Sequence, residues 1–244
     1  MSDKELYSQY LVSRRQILAW AGTTGVLLMM VGPPRAVHTA PGTAGSICIV
    51  RPEQTEGPYF VDERLHRMDI RSDPTNGKVA VGTPLILVFQ VSRVHGGDCQ
   101  PLPDAQVDIW HCNAQGIYSD VQDPGFDTSG QKFLRGYQLT DAQGTARFYT
   151  IYPGWYPIRT VHIHFKIRTA PVARRSYEFT SQMYFPDDLT DRVHTKLPYS
   201  SNGHRRVRNH DDFIFRDGGD RLILEPSETN DGYTATFPIA LITS

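Results

Sequence analysis

The 244-residue sequence predicts an all-β chain, a β-sandwich of antiparallel strands joined by long loops, on three observations. Short runs rich in Val, Ile, Phe and Tyr recur from residue 84 onward, and several alternate apolar with polar residues, the period of a strand with one buried face. Gly (20) and Pro (17) are frequent, as many short elements separated by turns require. No helical stripe of useful length appears after residue 41. Apolar residues make up 39% of the chain, enough for a substantial core, and length alone allows one large domain or two small ones. A net charge of −1 gives no long-range attraction to nucleic acid or to anionic lipid.

The elements follow in order. In residues 1–40, Ser13-Arg14-Arg15-Gln16-Ile17-Leu18 precedes AWAGTTGVLLMMV, uncharged through Val31 and broken by Gly32-Pro33-Pro34. Paired arginines before a short apolar segment read as a twin-arginine export signal, with cleavage expected between Ala36 and Ala44. The alternatives are an N-terminal membrane anchor or a buried amphipathic helix, but the apolar part falls short of the ~20 residues a comfortable span needs. The expected location is therefore periplasmic or secreted, with no stable membrane span after cleavage. Residues 41–78 read as an irregular arm containing Glu53-Gln54-Thr55-Glu56-Gly57-Pro58-Tyr59-Phe60. After the turn signal Asn76-Gly77, strands are expected at 84–94, 106–111, 133–139, 146–151, 161–169, 178–185 and 233–242, within a sandwich domain of 79–244. Asp141-Ala142-Gln143-Gly144 fits a hairpin turn between two of them. Residues 186–220 turn polar and loop-like, either a solvated excursion or a lid on the substrate side. Cys48, Cys99 and Cys112 allow one disulfide and one free thiol in an oxidising compartment, without indicating the pair, and their spacing is not that of a zinc site.

Two stretches carry chemistry. In WYPIRTVHIHFKI (155–167), His162 and His164 occupy positions i and i+2 of a strand and share a face, with Cα atoms roughly 6.5 to 7 Å apart. Such a pair either reaches one metal ion or forms two hydrogen-bonded strand histidines. Tyr156 and Arg159 stand six and three residues upstream, and Pro157 places Tyr156 on a loop leading in. In DIWHCNAQGIYS (108–119), a strand ends in an Asn-Ala-Gln-Gly turn followed by Tyr118, which taken alone reads as a core or rim aromatic.

WHCNAQGIYS together with PGWYPIRTVHIHF resembles the intradiol ring-cleavage dioxygenases, the protocatechuate and catechol dioxygenase family, over about residues 53–185. The resemblance implies Fe(III) held by Tyr118, Tyr156, His162 and His164. It also implies an active-site arginine at Arg159 and a glutamine in the S-Q-x-Y-F strand at Gln182, with the long loops around the active site. Hard phenolate oxygens with borderline imidazoles suit high-valent iron better than zinc or copper, and a trivalent cation would keep both phenols ionised. The implied reaction opens a catechol-type small molecule with O2 between its two hydroxylated carbons, giving a muconic acid. In it Tyr156, opposite His164, is the displaceable ligand, and Arg159 stabilises developing negative charge. The helical N-terminal region of the catechol-type members has no counterpart here, the export signal is atypical of the cytosolic members, and the substrate's substituents are left open, with Arg135 and Tyr137 as guesses for residues facing them. A homo-oligomer is allowed. Two other readings compete. A cupin would need a glutamate four or five residues after His164, where Arg168 and Thr169 stand. A non-catalytic secreted β-sandwich binding module would use these aromatics as a surface and hold no metal.

Overall fold

In the computed structural model, which describes residues 48–169 and 176–242, the alternating runs become eleven strands. They are β1 (Pro84–His95), β2 (Asp98–Pro101), β3 (Gln106–Trp110), β4 (Gln122–Asp123), β5 (Phe126–Asp127), β6 (Arg135–Leu139), β7 (Thr145–Ile151), β8 (His162–Arg168), β9 (Glu178–Tyr184), β10 (Ser227–Glu228) and β11 (Tyr233–Leu241). One sheet runs β10-β11-β1-β2, with β7 pairing the N-terminal part of β1, and the other runs β6-β3-β8-β9. Leu85, Leu87, Phe89 and Val91 of β1 meet Val107 and Ile109 of β3 and Ile163, Phe165 and Ile167 of β8 in one buried core. The Phe89 and Phe165 rings lie 5.5 Å apart across it. This is the expected all-β sandwich. Among the paired strands of the described residues, only β1 with β11 is parallel, a pairing of distant segments that no turn signal could announce.

Two local expectations change. The turn at 141–144 forms, with Asp141 Oδ1 accepting from the Gln143 and Thr145 amides (2.9 and 2.8 Å), but it is not a hairpin of one sheet. It carries the chain from β6, paired with β3, across to β7, paired with β1. The polar 186–220 segment contains an α-helix, α1 (Asp187–His194), which buries Leu189, Thr190, Val193 and His194. Two acidic residues in its first turn and Arg192 in its last complement the helix dipole. Arg205 bonds both Asp187 (2.5 Å) and Asp191 (2.8 Å), tying the following loop to the helix. Eight residues with only Leu189 and Val193 as an apolar i, i+4 pair leave no legible stripe.

The outward face of the second sheet is covered rather than solvated. Lys166 of β8 is buried beneath the arm, paired with Glu56 (2.5 Å) and lying 4.8 Å over the Phe60 ring. Cys48 of the arm is disulfide-bonded to Cys99 of β2 with Cα atoms 5.5 Å apart, while Cys112 is free and buried. The bond spans 51 residues, and on the chain-entropy argument its removal costs about 4 kcal/mol. Cys99→Ala should therefore lower the denaturant midpoint in chemical unfolding, and reductant should do the same to the wild type. An unchanged midpoint would show that the arm is held by its other contacts alone. Among the described residues no helix is long and apolar enough to cross a membrane. The expected export signal at 1–40 lies outside the described residues.

Candidate metal centre

The alternation of β8 decides where its histidines go. Ile163, Phe165 and Ile167 fill the core, so His162 and His164 take the opposite face, beneath the arm and loops, and both are buried. Register places His164 between Trp110 of β3 and Gln182 of β9, and pairs His162 with Tyr184. The Trp110 indole stacks on His164 at 5.0 Å and 6°. His162 Nδ1 donates to the Thr160 carbonyl (2.6 Å), which fixes the ring and turns Nε2 toward His164 Nε2, 3.0 Å away. Two ligands each about 2.1 Å from one ion and near right angles stand about 3 Å apart, so this pair fits a shared metal.

The two tyrosines arrive on loops that lock together. Asn113 Oδ1 accepts from the Gln115 and Ile117 amides (2.9 and 3.0 Å), closing the turn that delivers Tyr118. At Gly116 a Cβ would stand 2.2 Å from the Trp155 carbonyl oxygen, and at Gly154 one would stand 2.4 Å from that of Ala114. Glycine is needed at both contacts because the Tyr118 turn and the segment leading to Tyr156 touch backbone to backbone. Tyr156 Oη lies 3.1 Å from His162 Nε2. Tyr118 is 1% exposed, its ring 5.7 Å from that of Tyr156 and 6.2 Å from that of His164, and its hydroxyl has no hydrogen-bond partner. His164 Nδ1 is likewise buried and unpartnered. Leaving such atoms unpaired costs about 1 to 3 kcal/mol each, and a metal ion bound to the Tyr118 oxygen would remove the cost at that atom. Among the described residues no three His, Cys, Asp or Glu side chains gather as a metal site. The donors here are instead two imidazoles and two phenols, without thiolate or carboxylate, a set that fits a hard, high-valent iron.

Arg159 completes the group. Its Nε donates to Asp212 Oδ2 (2.8 Å) and its Nη2 to Gln182 Oε1 (2.5 Å), while Gln182 Nε2 donates to the Thr55 carbonyl (2.9 Å). Nη1 makes no protein hydrogen bond among the described residues. The structure thus brings together all six residues singled out from the sequence: Tyr118, Tyr156, Arg159, His162, His164 and Gln182.

A dioxygenase family model matches residues 55–236, about three quarters of the chain, and spans every one of these positions. The chain belongs to the intradiol dioxygenase family. Among solved structures it is similar to an intradiol ring-cleavage dioxygenase from Tetranychus urticae, with TM-score 0.70 and 29% identity, covering 80% of this chain and 95% of that one. Among curated proteins it is 34% identical over 140 residues to the protocatechuate 3,4-dioxygenase beta chain of Burkholderia cepacia, covering 54% of this chain and 57% of that one. It is 35% identical over 113 residues to catechol 1,2-dioxygenase of Acinetobacter baylyi, covering 43% and 32% respectively. The chain spans from about a third to a little over half of the length of such curated relatives.

Burial sets the charge states of this family member's site. It lifts the Tyr118 phenol well above its ordinary value, with Tyr156 adding to the rise, and it lifts Tyr156 as well. Burial, followed by the nearby Arg159 charge, pushes both His162 and His164 well below the usual imidazole range. Without metal the four donors are therefore neutral near pH 7. For Arg159, burial alone would lower the pKa, but Tyr156 and Asp212 outweigh it and the guanidinium stays charged.

Several residues at the site were not singled out from the sequence. Tyr59 stacks on Tyr118 at 4.5 Å and donates to Asp123 Oδ2 (2.8 Å). Gly57, with φ +74°, presses on His164, where a Cβ would stand 3.2 Å from Cε1. Both lie in the EGPYF stretch, whose Gly-Pro-Tyr is their only signal. Asp212 sits in the polar segment with no signal at all. Arg135 and Tyr137, guessed to face a substrate, are committed elsewhere. Arg135 is buried with its donors on the Ser119 carbonyl and hydroxyl and on the Tyr59 carbonyl, and Tyr137 stacks on His66 at 4.9 Å. Arg135 therefore pins the backbone at Tyr59 and next to Tyr118, and its donors are occupied there.

Proposed function

We propose that this chain is a non-haem Fe(III)-dependent intradiol dioxygenase, opening a catechol-type ring with O2 between its hydroxylated carbons to give a muconic acid. The observation that carries this reading is the convergence of two buried phenols, Tyr118 and Tyr156, on the His162–His164 pair. Bound Fe(III) would supply a Lewis acid that accepts catechol oxygen and readies the ring for O2. Tyr118, packed beneath Tyr59, is the fixed ligand. Tyr156 enters on a loop behind Pro157 and the exposed Ile158, so it is the side chain free to swing off and take a substrate proton at Oη. Arg159 directs its unpaired Nη1 and a permanent charge at the negative charge that develops on the substrate's oxygens. The non-catalytic module is not favoured, since a binding surface has no use for a buried, unpartnered phenol. Catechol, protocatechuate and hydroxyquinol, named for the relatives, are the first substrates to try. The test is to load the protein with Fe(III) and follow its colour and its O2 consumption with these catechols. A reddish protein that changes hue with catechol under anaerobic conditions and forms muconic products in air is expected. A colourless protein holding stoichiometric iron would sink the two-tyrosine site. Export is part of the same proposal, supported by Arg14-Arg15 and by the Cys48–Cys99 bond, which persists in an oxidising compartment.

A pH dependence follows from the charge states. To hold the ion, Tyr118 and Tyr156 must each lose a proton that burial holds on, whereas the neutral imidazoles lose none. Iron uptake should therefore strengthen as pH rises through the neutral range and release about two protons per ion from the protein. Calorimetry in buffers of different ionisation enthalpy measures this. Tyr118→Phe, titrated at concentrations that fill its weaker site, should release about one proton fewer per bound ion than the wild type, a difference from which hydrolysis of the free ion cancels. Equal release would remove Tyr118 from the ligand set.

A further inference from the structure

We infer that Asp212 is the positioning residue of this site, fixing through one buried carboxylate the direction of the Arg159 guanidinium and the residue, Thr160, whose carbonyl orients His162. Asp212 is 0% exposed and accepts four hydrogen bonds. Oδ1 takes the Ile214 and Phe215 amides (2.8 and 3.2 Å), which anchors the carboxylate to its own turn. Oδ2 takes Arg159 Nε (2.8 Å) and the Thr160 amide (2.7 Å). The carbonyl of that same Thr160 accepts His162 Nδ1 (2.6 Å). The Thr160 hydroxyl donates to Asn209 Oδ1 (2.7 Å), and Asn209 Nδ2 in turn donates to the Phe185 carbonyl at the end of β9 (2.9 Å).

A guanidinium bound at Nε and at Nη2 has no rotation left, because Gln182 holds the second point and is itself held by Thr55. The remaining face, Nη1, is thereby aimed. All four acceptor positions of Asp212 are filled, so its charge is not available to a substrate, and its reach is only through Arg159 and Thr160. Asp212 enters from the polar segment after β9, which gives that segment a role in setting the site.

The kinetic half of this inference rests on the dioxygenase reading, and the spectroscopic half does not. In metal-free protein carrying 15N-labelled arginine and histidine, the Arg159 Nε–H and His162 Nδ1–H protons should exchange slowly in the wild type. In Asp212→Asn, whose amide group faces donors, both should exchange at least about tenfold faster. In iron-loaded protein, Asp212→Ala should lower kcat for catechol about 100-fold with KM within about threefold. The same change in an Arg159→Ala background should lower kcat less than about tenfold, because only the part that acts through Thr160 and His162 is left to lose. Equal losses in both backgrounds, a loss confined to KM, or unchanged exchange of either proton would overturn the role. If Asp212→Ala does not fold, the near-isosteric Asp212→Asn carries the same cycle. A wild type that cleaves no catechol would overturn the dioxygenase reading instead, and the exchange measurement would then decide the positioning role by itself.

Discussion

Tyr118→Phe is expected to fold normally, lose iron on gel filtration and show almost no visible colour, with turnover below about 1% of the wild type. The two effects have opposite origins. In the metal-free protein the Tyr118 hydroxyl is buried and has no partner, so deleting it removes a desolvation cost and leaves no cavity of consequence. The metal-free variant should melt at the same temperature as the wild type or slightly higher. With iron, the deleted oxygen is the proposed anionic ligand, and nothing nearby replaces it. Tyr59, the adjacent phenol, is committed to Asp123, and burial with that carboxylate pushes its pKa up to about 12. Even outer partners of metal ligands are worth about 10- to 100-fold in affinity, and loss of a ligand should exceed that. Iron content, the visible band and the melting temperature of metal-free protein, measured on one preparation, separate the two effects. Full colour in a folded Tyr118→Phe protein would show that the fixed phenolate lies elsewhere.

What could be read from the sequence, and what could not, follows the range of the interactions concerned. The alternation V-H-I-H-F-K-I in β8 set Ile163, Phe165 and Ile167 against His162, His164 and Lys166, and the sandwich needs the isoleucines and the phenylalanine inside. The two histidines were thus bound to share the covered outer face. The Asn113 turn before Tyr118 is also local chemistry, its side chain capping two amides of its own loop. Contacts between distant segments left less trace. Gly57 is needed because a Cβ would crowd His164, which lies more than a hundred residues away, and Asp212 matters only through Arg159 and Thr160. The helix α1 was hidden because tertiary contacts to Arg205 hold it, while its own two-residue apolar stripe is too narrow to announce it. The parallel pairing of β1 with β11 joins strands far apart in the sequence, so it had no local signature either.

Arg159→Ala is expected to keep its iron and its colour but to turn over catechols about 100- to 1,000-fold more slowly, the loss falling on kcat. None of the four proposed metal donors bonds to Arg159, so the band that would report the phenolates should persist. What disappears is a charge held within the site by Asp212 and Gln182, with Nη1 left over for the substrate. Such a group costs nothing to reorganise during the reaction, which is why its removal is expensive. Arg159→Lys should recover little. An ammonium at the end of a flexible stem cannot serve Asp212 and Gln182 together and still present a third donor in a fixed direction. The substitution to alanine also leaves Asp212 buried without its counter-charge, and breaking such a pair costs about 3 to 5 kcal/mol, near the lower figure here because three amides still bond the carboxylate. Kinetics should therefore be taken well below the melting transition, with the visible band as the measure of folded, loaded enzyme. Unchanged turnover per coloured site would remove Arg159 from the reaction, whereas a loss that tracks the colour would make it a structural support of the iron ligands.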